Sequence, residues 1–184
     1  MKTFFSLFAL IISTLVMSQD EAKWPFYEIP DNPEIYTTGT VAARMIDGLG
    51  FRYYWATEGL RAEDLSYRAS ETGRTSAETI EHLYGLSKFI RSSVLKANKD
   101  ENNTELTFQE KRKRTLVNLK IVSDALRDLE TPFNLESTEI PFWNIINGPI
   151  SDALWHCGQV VMLRRASGNP FNSKVSVFQG KLQQ

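Results

Sequence analysis

Between residues 40 and 170 the chain sets amphipathic stretches between short runs of polar residues, glycine and proline. Apolar side chains recur at spacings of three and four, which places them on one face of a helix. The first such stretch runs from about Thr40 to Arg61, with Val41, Met45, Leu49, Arg52, Tyr53, Ala56 and Leu60 in register. Gly48 and Gly50 lower its intrinsic propensity, and their missing side chains would let a neighbouring helix approach closely. The second starts at "TSAE", where Thr75 and Glu78 have the spacing of a capping box, and carries Thr79, His82, Leu83, Leu86, Phe89 and Ile90 to an end near Lys96. After the polar connection "KANKDENNT", "TFQE" repeats the cap with Thr107 and Glu110. The third helix then extends to about Leu129, with Phe108, Thr115, Leu119, Val122, Leu126 and Leu129 as its apolar stripe. A fourth is expected to begin at Gly148-Pro149, proline suiting a first helical position, and to stop at "SGNP", where Gly168 supplies a left-handed cap before Pro170.

Four amphipathic helices without a strand series predict an all-α four-helix bundle over residues 40–170, each apolar stripe turned to a shared interior. Ahead of it, residues 19–39 hold three prolines among aromatic and acidic residues and are expected to form an extended arm. Residues 171–184 form a short C-terminal tail. The chain opens with Lys2 and an apolar run from Phe4 to Met17 that ends at "SQDE", the pattern of a cleaved secretory signal over residues 1–18. The run is shorter than the ~20 residues a membrane-spanning helix needs, so no stable membrane insertion is expected after cleavage. A secreted or periplasmic location follows.

The net charge of −1, from 21 basic and 22 acidic residues, supplies no field that would gather nucleic acid, which is therefore not an expected partner. The run "KRKR", Lys111 to Arg114, is dispersed around its helix and is expected to be solvated. Arg164 and Arg165 complement the dipole at the end of the last helix. Cys157 is the only cysteine, so the fold stands without an internal disulfide, and its thiol is expected to be a small buried hydrophobe.

The chain has two histidines, His82 and His156. Asp152 precedes His156 by four residues, so both side chains reach a common point on one helix face. His82 falls among the core-facing positions of the second helix and could add a third donor. Two imidazoles and a carboxylate suit an open metal site; the alternative is that His82 and Asp152 form a buried polar pair without metal. Gln159 is placed either to orient a ligand or to bridge helices. Tyr54, Trp55 and Glu58 are either cavity lining or, for the aromatics, core.

The segments "SAETIEHLYGLSKFI" and "ISDALWHCGQVVMLRRASGNP", with their "HxGQ" and "RRxSGNP" patterns, resemble the DinB family of metalloenzymes over residues 40–170. The resemblance implies a four-helix bundle holding a divalent metal (zinc, nickel, iron or manganese) through one histidine on the second helix and a histidine pair on the last. His82 matches the first of these and His156 the second of the late pair, while Asp152 stands in place of the other histidine. A metal-dependent hydrolase or thiol transferase acting on a small molecule is implied, with no catalytic residue assigned and self-association left open. A non-catalytic bundle binding a small ligand is the alternative, and non-covalent haem between the two histidines is a third.

Overall fold

The computed structural model describes residues 24–96 and 105–183. Its elements are α1 (Thr38–Thr57), the short α2 (Ala62–Ser66), α3 (Ser76–Leu95), α4 (Phe108–Arg127), the single-turn α5 (Phe142–Ile145), α6 (Ser151–Ala166), and a hairpin of β1 (Val175–Ser176) and β2 (Lys181–Leu182). The chain is all-α: α1, α3, α4 and α6 form a bundle in which α4 packs on α1 and α3, and α6 on the same two helices from the other side. The signal-peptide expectation and the first residues of the arm lie outside the described residues. Among the described residues no helix is long and apolar enough to cross a membrane.

Both capping boxes form. Thr75 Oγ1 accepts from Glu78 N at 3.1 Å while Glu78 Oε2 accepts from Thr75 N at 2.7 Å, and Thr107 with Glu110 repeats the exchange. α1 is the central helix and is buried on nearly every side, with Ala43, Ile46, Leu49, Phe51 and Tyr53 at or near zero exposure. The apolar stripes are rotated from those expected at their edges: Val41, Phe89 and Leu129 are exposed, and the face of α3 in the core is Ile80, Leu83, Tyr84, Ile90 and Val94. Gly39 brings α1 against α4, since a Cβ there would collide with the Leu126 carbonyl oxygen. Gly50 has another use: its bare backbone seats the Phe26 ring of the arm, 2.5 Å from where a Cβ would stand.

The last helix does not begin at Pro149. Helical backbone runs from α5 through a π-type turn, Ile146–Ile150, into α6, and the Ser151 N–H reaches back to the Ile146 carbonyl. Proline lacks an N–H and crowds the carbonyl four residues back, and the widened turn accommodates both defects inside the helix. Asp152 therefore lies within a continuous helical segment and makes no side-chain cap.

Among the described residues four buried charges tie the bundle together, one of them Asp47 of α1, which pairs with Arg127 of α4 at 2.7 Å. Arg112, from the run expected to be solvated, is buried between the rings of Trp24 and Tyr54, each 4.7 Å from its guanidinium, and pairs with Glu58 at 2.5 Å. Because successive helical residues point about 100° apart, one of four basic residues faced inward. Arg164 is likewise buried and caps α1, donating to the carbonyls of Trp55 and Ala56 at 3.1 and 3.0 Å. Beside it, the fully buried Asp64 accepts from Arg61, Ser167 and Asn169. The Arg61 guanidinium foremost, with the two neutral donors, holds its carboxyl far below the usual carboxylate range. The arm and tail close over α1 together: Ile29 N donates to Gly180 O at 2.8 Å, and Trp55 Nε1 to Tyr27 O at 3.1 Å.

Candidate metal centre

On α6 the core stripe is narrow: Ala153, Cys157, Val160 and Arg164. Asp152, His156 and Gln159 occupy the adjoining face, one residue earlier in each turn, and so are turned toward α3 at the rim of the core. Cys157 belongs to the core stripe; burial pushes its thiol up to about 12, so it stays protonated and packs as an apolar group.

His82 of α3 arrives opposite this face. Its Nε2 lies 3.1 Å from Asp152 Oδ2, while His156 Nε2 lies 3.3 Å from Asp152 Oδ1. One carboxylate thus spans two imidazoles, whose rings stand nearly perpendicular (85°) with centroids 4.5 Å apart. The three side chains form a group able to hold a metal ion, one donor atom from each lying within 4.8 Å of the others. Bonds of about 2.0–2.2 Å put donor atoms on a tetrahedral centre roughly 3.4 Å apart, so the spacing needs little adjustment. His156 is 14% exposed, against 36% for His82 and 42% for Asp152, so one side of the group is packed and the other open to solvent.

Gln159 braces His156: its Oε1 lies 2.7 Å from Nδ1 and holds the ring plane. In the tautomer with Nδ1–H donating to that oxygen, the Nε2 lone pair faces Asp152 Oδ1, 3.3 Å away, and is free to bind a cation placed between them.

The group opens into a cavity of about 810 Å³ walled by Thr79, Arg74, Trp155, Gln159 and Met162. Trp155 and Met162 are mostly exposed although large and apolar. They escaped the sequence reading, although with Gln159 they recur at helical spacing on a face that the core stripe leaves free. Tyr54 and Trp55 are core residues against Tyr27, and Glu58 serves Arg112, so none of the three lines this cavity.

No family model, curated protein or solved structure matches this chain.

Proposed function

We propose that the chain is an exported, DinB-like metalloprotein in which His82, Asp152 and His156 hold one divalent cation at the mouth of the Trp155-lined cavity. It would serve there a hydrolase or thiol transferase acting on a small molecule. The observation that carries this reading is the convergence of His82, Asp152 and His156 from two helices, with one donor atom of each within 4.8 Å of the others and Gln159 bracing the far side of His156. The donor chemistry fits: two imidazoles and one carboxylate are borderline ligands that suit zinc, iron, manganese or nickel, and three protein ligands leave positions open. When bound, such an ion supplies Lewis acidity and lowers the pKa of a water or thiol to near neutrality.

The chain's own residues do the rest. Gln159 holds the ring plane of His156 and, accepting from Nδ1, would leave Nε2 for the metal. Trp155 and Met162 give the cavity an apolar wall for the body of a substrate, and Arg74 gives it a cation for an acidic substituent. Haem suits the geometry poorly, because perpendicular imidazoles with centroids 4.5 Å apart leave no room for a macrocycle between them. Ester hydrolysis and thiol conjugation should be assayed on metal-loaded and chelated protein side by side. Turnover that vanishes on chelation and returns with one equivalent of metal supports the enzyme. Metal binding with no turnover of either class favours the non-catalytic ligand-binding bundle, and turnover indifferent to chelation refutes the proposed chemistry.

A further inference from the structure

On the side of α1 away from α4, two cavities adjoin. One, of about 810 Å³, lies between the start of α1 and the segment leading into α5, with Ala42, Pro141, Phe142, Trp143 and Ile146 among its apolar walls. The other, of about 1020 Å³, continues along α1 toward its C-terminal half and is bordered by Ile150 of the π turn, by Leu154 of α6 and by the C-terminal hairpin. Tyr36, Val41 and Met45 border both, so the two lie end to end as one line of hollows along α1. From Thr38 to Arg52 the helix beneath this groove rises about 21 Å.

The polar groups are distributed unevenly. Arg44, Arg52 and Lys181 all border the second cavity, and no acidic residue does. Among the described residues no carboxylate lies within ion-pair distance of any of the three. Among the described residues Arg44 donates only to the Asp31 carbonyl and Asn32 Oδ1, and Arg52 only to the Gly48 carbonyl, so within that set both guanidinium groups keep N–H donors without partners. Glu136 and Glu139 stand at the far, apolar cavity. Gly48 lies between the two arginines on α1 and leaves the floor bare, since a Cβ there would meet only the flexible end of Arg52.

We infer that this groove binds a long-chain carboxylate, its chain along Val41, Met45 and Trp143 and its head group on Arg44, Arg52 and Lys181. Charge fixes the direction: three unpaired cations attract the carboxylate at one end, and two acids repel it from the other. Its apolar walls set the preference for chain length. This site does not depend on the metal centre, and either assignment stands if the other fails.

The test is calorimetric titration of the full chain with decanoate, laurate and myristate, each below its aggregation concentration. Saturable one-to-one binding is expected, strengthening about fourfold per added methylene until the groove is full. The double variant Arg44→Gln/Arg52→Gln, whose side chains lie outside the core, should weaken laurate by about tenfold or more. Gly48→Leu, which fills the floor and raises helix propensity, should abolish binding while the helical circular dichroism is unchanged. Methyl laurate binding as tightly as laurate would overturn the head-group assignment. Affinity independent of chain length, or capture on phosphatidylglycerol vesicles without uptake of laurate, would overturn the groove itself.

Discussion

Gln159 offers a sharp probe of the metal centre because it touches the site without belonging to the ligand set. Replacing it with Leu removes the oxygen 2.7 Å from His156 Nδ1 and leaves a side chain of similar volume on a half-buried helix face. The imidazole then loses its tautomer bias and its fixed plane, and the basicity that the acceptor lends to Nε2. Removal of such a supporting hydrogen bond weakens metal affinity about 10- to 100-fold, equivalent to about 1.4–2.7 kcal/mol. Glu at the same position restores an acceptor and adds charge, so Gln159→Glu should bind at least as tightly as the natural chain. Zinc competition against a chromophoric chelator measures all three proteins, with Trp155→Ala as the control that alters the cavity wall alone. A Gln159→Leu variant that binds zinc as the natural chain does would remove the basis for the His156 tautomer.

The buried charges and close contacts outside the site lead to further expectations. Asp64→Asn should cost about 2–4 kcal/mol at neutral pH, discounted for the half-exposed Arg61, and lower the melting temperature by roughly 5–12 °C. Since the Asp64 carboxyl is held down in the folded state, its contribution is complete above the unfolded value of about 3.9 and is lost as pH falls below it; the acid limb of a stability–pH curve should therefore flatten in the variant. Gly50→Ala should destabilise by about 1–2 kcal/mol in urea titrations, because displacing Phe26 outweighs the roughly 1 kcal/mol gained in helix propensity; a more stable variant would show that the arm does not pack there. Cys157 should resist alkylation by iodoacetamide at pH 8 in the folded protein and react on unfolding, and rapid reaction in native buffer would place the thiol outside the core.

The bundle was legible because local signals agreed with one another: the Thr75/Glu78 and Thr107/Glu110 boxes set helix starts without help from distant residues, and Gly168, with φ of +83°, marks the final stop. The approach of Asp152 and His156 also follows from helical spacing alone, whereas the arrival of His82 depends on how α3 packs against α6. What stayed hidden was the direction of individual side chains. Periodicity gives a stripe but not its phase against neighbours, so Phe89 and Leu129 were turned out, and Arg112 and Arg164 inward. The partners of those arginines, Glu58, Tyr54 and the α1 carbonyls, lie more than fifty residues away in the chain. Pro149 misled for a related reason: as a helix starter it is locally favourable, and only the continuity of backbone on both sides shows it within a π turn.

The most direct measurement is a calorimetric zinc titration of metal-free protein, run on the natural chain, His82→Ala and Asp152→Ala. The expected result is one equivalent bound by the natural chain, with affinity reduced by at least about 100-fold in each variant, since each has lost one of three ligands. Absence of binding by the natural chain, or equal affinity in all three proteins, would contradict the metal centre and leave His82, Asp152 and His156 as a polar cluster held together by a proton.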